Sequence, residues 1–476
     1  MKPSQFNVLV DVDPRGTVVH NTESARSLVV PGPIARWLET ARTTPLPAAL
    51  YPSRYRALLE PLVRGGFVVD DDIDELQVQI HRRRVSRFAA DRCSLQVQVI
   101  QTCNLACKYC IQTFSPMHAR MSLDTADDVV KFAQRTVLQS RARLLVVTMY
   151  GGEPLMNEPV CRHIMSQMAG FAANRRIELS LPVVTNGVLL VKHRDSPVIE
   201  LASGFHITFE GGKQRHDSIR KQRDGAGSYD RIVAGIAMLR RRDVRVRVRL
   251  HVNGVERDEL LHLLDELQAA GVVPDRRRCD MYWTNSEDAS EAKSFEGCAK
   301  ERAINWEKNR DHVFALHEAA RHHPLGVIIE PGFNPGPRHT SPEFRADAHW
   351  KPRPAQHCSG CPLDSISSFF VTPDGGLYSC PDDPRPEVKM GNIQRGGDVE
   401  YSEARSRLLT RDYWPDKACA RCEFLPVCGG GCPLDRPDAV EDCETRRTKL
   451  KDTETYIAQN PPPEPDRGAI QVQQPR

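Results

Sequence analysis

The chain has 476 residues, enough for two or three domains with substantial cores, and its 65 Lys+Arg against 62 Asp+Glu leave a formal charge of only +3. So slight an excess of base gives no ground for nucleic acid or an anionic membrane as the main partner, and no run of apolar residues is long enough to span a membrane. The opening "MKPSQFNVLVDVDPRG" lacks the charged-then-apolar layout of an export signal, so the expected location is cytoplasmic.

Residues 1–90 read as a small α+β module. "FNVLVDV" and "TVVHN" are two short strands around the turn signal "DPRG", and "IARWLETA" and "YRALLEPLV" have helical spacing. "DDIDELQVQIHRRR" begins acidic and ends basic, the polarity a helix dipole favours. From residue 91 the pattern becomes strand-then-helix. "SLQVQVI" is an alternating strand, "LDTADDVVKFAQRTVL" a helix, and "ARLLVVTMYGGEP" a buried strand ending at glycines. Helix "VCRHIMSQMAGFAA", strand "IELSLPVVTNG", strand "GFHITFEGG", helix "YDRIVAGIAMLRR", strand "VRVRVRLHVN" and helix "RDELLHLLDELQAAG" follow. Repeating βα units imply a parallel sheet with right-handed crossovers, open or rolled into a barrel. The strand "VRVRVRL" puts Arg245, Arg247 and Arg249 on one face, which is either an edge with a solvated side or a surface turned into a lumen. Residues 331–357, rich in Pro and Gly, read as a linker. "SSFFVT" and "GLYSC" read as short strands around "PDGG", and the Pro-rich polar stretch 451–476 as a disordered tail.

The 15 cysteines are odd in number and unevenly placed, with three at 103–110 and eight between 358 and 443. In a long chain without an export signal, clustered thiols read as metal ligands rather than disulfides. "CNLACKYC" places Cys103, Cys107 and Cys110 on the loop straight after a strand, where α/β folds put their chemistry. Three thiolates suit three corners of a four-iron cube with the fourth iron open, or a zinc site completed by a distant ligand such as His118.

The strings at the following strand ends resemble those of the radical S-adenosylmethionine (radical SAM) superfamily, whose loop reads C-x3-C-x-aromatic-C. Cys103, Cys107 and Cys110 match it, with Tyr109 as the aromatic residue. "YGGEP" is similar to the motif that meets the methionine amine, at Gly151, Gly152, Glu153 and Pro154. Thr185 and Asn186 in "VVTNG", Thr208 and Glu210 in "ITFEGG", and Arg220 in "HDSIR" stand where relatives contact the ribose or methionine. Relatives more often read S-L-D-G where this chain reads Thr208-Phe209-Glu210-Gly211. The resemblance implies a partial (β/α)6 barrel over 91–330, with S-adenosylmethionine chelated to the open iron.

Residues 358–450 resemble the SPASM domain of radical SAM enzymes that mature peptides and proteins. The match runs through C-x13-G-x4-C from Cys361 to Cys380, then C-x2-C-x5-C-x3-C over Cys419, Cys422, Cys428 and Cys432, then Cys443. It implies two auxiliary four-iron clusters, one on Cys358, Cys361, Cys380 and Cys432, the other on Cys419, Cys422, Cys428 and Cys443. The C-x2-C pairs alone also fit zinc. Of the remaining cysteines, Cys93, Cys161, Cys279 and Cys298, the one at 161 lies on an apolar helix face as a packed core thiol. Formylglycine-generating relatives carry an Asp directly after the cysteine matching Cys380; here Pro381 intervenes, leaving Asp382 and Asp383 as the candidate catalytic residues. The implied partners are a precursor peptide or protein and an electron donor such as a flavodoxin or ferredoxin. The module at 1–90 is either a leader-binding unit or a cap on the barrel.

Overall fold

The computed structural model describes residues 1–12, 16–24, 26–43, 53–107, 109–110, 119–284, 297–330, 365–381, 388–411, 417–428, 447–448, 451–452 and 455–456. The N-terminal module holds β1 (Lys2–Pro3), β2 (Asn7–Val12), β3 (Gly16–Asn21), β4 (Arg26–Val30), α1 (Gly32–Thr43), α2 (Leu59–Arg64), β5 (Val68–Val69) and α3 (Glu75–Phe88). β2, β3 and β4 form an antiparallel sheet, and β1 pairs with β5. The third strand was not foreseen, because the polar start of "RSLVV" hides its alternation. Period-two alternation gives this sheet two apolar faces. Leu9, Val19, Leu28 and Val30 pack on Ile34, Trp37, Leu38 and Phe67. Val8, Val10 and Val18 on the other face pack against Phe424 and Cys422, far along the chain. Arg87, near the end of α3, donates to the carbonyls of Leu409 and Arg411 at 2.9 and 3.0 Å. The module is thus docked on the cysteine-rich C-terminal region.

The core sheet holds β6 (Arg92–Ile100), β7 (Leu144–Gly151), β8 (Glu178–Ser180), β9 (Pro182–Val184), β10 (Gly204–Phe209), β11 (Val246–His251), β12 (Cys279–Thr284) and β13 (Ile329–Glu330). Their order is β13-β12-β11-β10-β9-β7-β6, all parallel, with β8 paired to β7. The single strand expected over "IELSLPVVTNG" is broken at Leu181, because Pro182 has no N–H to continue the ladder. The helices between these strands are α4 (Leu123–Ser140), α5 (Glu158–Arg175), α6 (Pro197–Leu201), α7 (Lys213–Ile219), α8 (Tyr229–Arg241), α9 (Arg257–Ala269) and α10 (Gly297–Arg321). α4 shows why they form where they do: Ser122 accepts from Thr125 N at 3.0 Å as its N-cap, and Val129, Phe132, Ala133 and Val137 make one buried face.

β11 lies between β10 and β12, so the edge reading of the arginine strand is overturned. β12 had escaped notice because its approach, "DRRRCDMYWT", is charged. Val246, Val248 and Leu250 pack in the main core with Phe205, Ile207, Phe209, Cys279, Met281 and Trp283, so the arginines share the other, inner face.

Four more strands extend the same sheet at its β6 side. β14 (Ser368–Val371) pairs parallel with β6, and β15 (Gly376–Tyr378), β16 (Lys389–Ile393) and β17 (Val399–Tyr401) follow antiparallel. β14 and β15 are the hairpin foreseen around "PDGG". α11 (Glu403–Thr410), α12 (Lys417–Ala420) and α13 (Leu425–Cys428) come after them. The linker read over 331–357 lies outside the described residues. Tyr456, in the stretch read as a tail, stacks on Phe314 of α10 with ring centroids 4.3 Å apart. Among the described residues, no helix is long and apolar enough to cross a membrane.

Candidate active site

At the C-terminal end of β6 the ladder slips: Gln98 faces Tyr150 and Ile100 faces Gly151, so one extra residue bends the strand into its loop. That loop carries Cys103, Cys107 and Cys110, all partly exposed. Its backbone is held from outside, with Ala106 N donating to Lys221 O at 2.8 Å and Arg223 Nε to Cys103 O at 2.7 Å. Cys103 Sγ accepts from Leu105 N at 3.3 Å and from Asn186 Nδ2 at 3.5 Å. Burial pushes its thiol up to about 12 and raises Cys107 as well. Both are protonated until a metal charge compensates the thiolate, so metal loading releases protons here. Among the described residues no three Cys, His, Asp or Glu side chains are placed to hold a single ion. Three thiols from one loop fit three corners of a four-iron cube. His118 lies outside the described residues.

The two glycines of "YGGEP" let β7 meet this loop backbone to backbone. A Cβ on Gly151 would stand 2.3 Å from Ile100 O, and one on Gly152 would stand 2.3 Å from Thr102 O. Gly151 also has φ of +148°. Glu153 N donates to Thr102 O at 3.1 Å. The Glu153 carboxylate is fully buried and accepts from Leu155 N at 3.0 Å, Thr185 Oγ1 at 2.7 Å and Asn186 N at 2.8 Å. It therefore ties β7 to the loop after β9, with Pro154 buried beside it. Asn186 Nδ2 also donates to Asn104 Oδ1 at 2.8 Å, which carries the tie into the cysteine loop.

Burial pushes the Glu153 carboxyl up to about 7, from an ordinary 4.5. A raised folded-state pKa means that the native protein holds this proton more tightly than the unfolded chain does. The contribution is full below pH 4.5 and declines as pH rises through 7, by about 3 kcal/mol in all. Urea unfolding of metal-free protein is expected to show this decline, and Glu153→Gln to flatten it. Equal slopes in the two proteins would refute the assignment.

A second network joins the loop to β10 and β11. Tyr109 Oη donates to Glu210 Oε1, Arg220 donates to Tyr109 Oη, and His251 Nδ1 lies 2.7 Å from Glu210 Oε1. Burial alone would raise Glu210, but His251, Arg220 and the Tyr109 hydrogen bond bring its carboxyl below the ordinary range. Burial lowers His251, and Glu210 beside it opposes that fall. Burial opposes the Arg220 charge, yet Tyr109, Cys107 and Glu210 outweigh it. His216, taken down to about 3 by burial, accepts from Glu210 N on Nδ1, so its Nε2–H faces Ser228 Oγ at 3.1 Å. Ser228 in turn donates to Arg220 O at 2.7 Å. The cluster is thus a cation and a carboxylate held rigidly beside the cysteine loop.

Residues 97–267 match the family model of the radical SAM superfamily. This span is a radical SAM domain. A radical SAM domain binds S-adenosylmethionine and a four-iron cluster. A serine-type anaerobic sulfatase-maturating enzyme of Bacteroides thetaiotaomicron is 23% identical over 359 residues, spanning 72% of this chain and 82% of that enzyme. A GTP 3',8-cyclase of Rhodobacter capsulatus is 28% identical over 212 residues, 41% of this chain and 59% of that enzyme. The solved structure of native anSMEcpe with bound AdoMet and Cp18Cys peptide superposes with a TM-score of 0.52 at 15% identity, over 77% of this chain and 97% of that chain. That is a likeness of fold.

The radical SAM domain brings Tyr109, Glu210 and Arg220 together, and likewise Glu153, Thr185 and Asn186. Thr208 instead faces Arg249, on the inner face of the sheet. His251 was missed, although it continues the inward alternation of Arg247 and Arg249. In the C-terminal region, Cys380 follows β15, Cys419 lies in α12 with Cys422 just after it, and Cys428 ends α13. Cys422 N donates to Cys419 O at 3.1 Å, and Arg447 approaches Cys422 Sγ at 3.3 Å. Cys358, Cys361, Cys432, Cys443, Asp382 and Asp383 lie outside the described residues. Cys161 is fully buried in α5, as a core thiol should be.

Proposed function

We propose that this protein is a peptide- or protein-modifying radical SAM enzyme with a SPASM-type C-terminal region, making a carbon–carbon or thioether cross-link or another oxidative change in a ribosomally made substrate. The observation that carries the reading is the loop of Cys103, Cys107 and Cys110, fixed between the Glu153–Asn186 tie and the Tyr109–Glu210–Arg220 cluster. The three thiolates would hold the cluster, with S-adenosylmethionine contacted by Tyr109, Gly151, Gly152, Glu153, Pro154, Thr185, Asn186, Glu210 and Arg220. When bound, the pair supplies reductive cleavage to methionine and a 5'-deoxyadenosyl radical able to take hydrogen from an unactivated carbon. Arg220 offers a fixed guanidinium to a carboxylate, and the buried walls keep water from the site. The auxiliary clusters would occupy the eight cysteines of the C-terminal region, and a flavodoxin or ferredoxin would supply the electron.

The test is anaerobic reconstitution followed by dithionite and S-adenosylmethionine. About twelve irons per chain and release of 5'-deoxyadenosine support the reading; zinc in place of iron, or no deoxynucleoside, rejects it. Co-expression with a short peptide encoded beside the gene then reads the modification as a mass change. Formylglycine formation is the second reading, favoured by similarity to a sulfatase-maturating enzyme and disfavoured by Pro381 after Cys380.

The N-terminal module would hold a leader as a strand added beside β4. Among the described residues β4 pairs only with β3, and its Val29 is 53% exposed. Val29→Asp is expected to weaken binding of a fluorescent precursor peptide about tenfold, a change of about 1.4 kcal/mol, with peptide-free deoxyadenosine release unchanged. Unaltered peptide affinity would make the module a cap.

A further inference from the structure

The inner face of β10, β11 and β12 carries its charge in layers. The parallel register sets His206 beside Arg247 beside Asp280, and the next inward layer sets Thr208 beside Arg249 beside Tyr282. Above them, next to the cysteine loop, come Glu210 and His251. Two of these layers set a carboxylate against their arginines. Asp280, 4% exposed, meets Arg247 at 3.2 Å and Arg245 at 3.6 Å. Glu210 meets His251 and Arg220.

The middle layer does not. Arg249 Nε donates to the neutral Thr208 hydroxyl at 3.1 Å, and among the described residues no carboxylate lies within ion-pair distance of it. Its other neighbour is Tyr282, whose hydroxyl is hydrogen bonded to His206 at 2.7 Å and whose ring lies 5.0 Å from the Arg247 guanidinium. A guanidinium kept partly out of water with only neutral partners is destabilising unless an anion completes it. The fork of an arginine favours a carboxylate, bound by two parallel hydrogen bonds. The layer lies two residues before His251 on the same strand, about 7 Å below the cluster at the strand ends.

We propose that Arg249, with Thr208 and Tyr282 fixing it, binds a carboxylate of the substrate inside the barrel, so that the preferred substrates carry an acidic side chain or a free C-terminus next to the reacting carbon. This deepens the proposed function by naming the substrate class of the same site, and it rests on that reading for the existence of a peptide substrate. A carboxylate of S-adenosylmethionine is the competing source of the same chemistry.

Reconstituted protein is treated with phenylglyoxal, and the extent of Arg249 modification is read by mass spectrometry of its proteolytic peptides. Four probes are added separately: acetyl-Ala-Glu-Ala-amide, acetyl-Ala-Gln-Ala-amide, acetyl-Ala-Ala-Ala with a free C-terminus, and S-adenosylmethionine. Several-fold slower labelling with the first or third probe, but not with the second or with S-adenosylmethionine, is the expected result, and the two active probes tell side-chain from terminal carboxylate. Equal protection by the glutamine peptide, protection by S-adenosylmethionine alone, or no protection by either carboxylate overturns the proposal. Deoxyadenosine release by the same preparation tests the radical SAM reading separately, since labelling needs no turnover.

Discussion

Replacing Cys107 with Ala should cut deoxyadenosine formation at least about a thousandfold, the equivalent of about 4 kcal/mol in barrier, while leaving the fold in place. No side chain substitutes for a cofactor-borne radical, so losing one of three corner ligands removes the reaction rather than slowing it. Cys107 packs at the margin of the main core, and losing its sulfur should cost the metal-free protein only about 1 kcal/mol. Iron content should fall by about four atoms per chain, with the low-temperature spectrum of the reduced site lost. Full iron with undiminished deoxyadenosine would remove this loop from the chemistry.

Gly152→Ala should be a strongly damaging small substitution near the site. Its new methyl would stand 2.3 Å from Thr102 O and 2.5 Å from Gln101 O, both backbone atoms on the approach to Cys103. Backbone cannot rotate aside as a side chain does, so either β7 separates from the loop or the loop shifts. The expected cost is about 4 kcal/mol, read as a fall in the urea midpoint of metal-free protein together with loss of iron on reconstitution. Gly170→Ala is the control: it lies in α5 with nothing within 4 Å of the added carbon, and should stabilise by about 0.5–1 kcal/mol. A Gly152→Ala protein that unfolds with the wild type would show that the contact yields easily.

Much of the site could be read from short strings because the strand–loop–helix repeat places each motif at a strand end. Cys103 to Cys110, "YGGEP", "VVTNG" and "ITFEGG" are local signals, and the fold lines them up along one rim. What could not be read is what lies across the sheet. Tyr109 and Glu210 meet over 101 positions, and Glu210 and His251 over 41. No local periodicity encodes such pairs. Arg245, Arg247 and Arg249 had two readings until β12 supplied the neighbouring strand and Asp280. The strand β4 and the docking of Phe424 on Val8, Val10 and Val18 were hidden for the same reason: each depends on a partner that the string itself does not contain.

That docking sets an order of events during synthesis. Val8, Val10 and Val18 leave the ribosome first, yet the ring that covers them, Phe424, follows some four hundred residues later. At synthesis speeds of about 5–20 residues per second, the valine face waits about 20–80 seconds for its cover. The outer edge of β6 likewise waits for β14. A nascent chain of this protein therefore carries a sticky surface and an open strand edge until those later segments emerge, the condition under which chaperones bind.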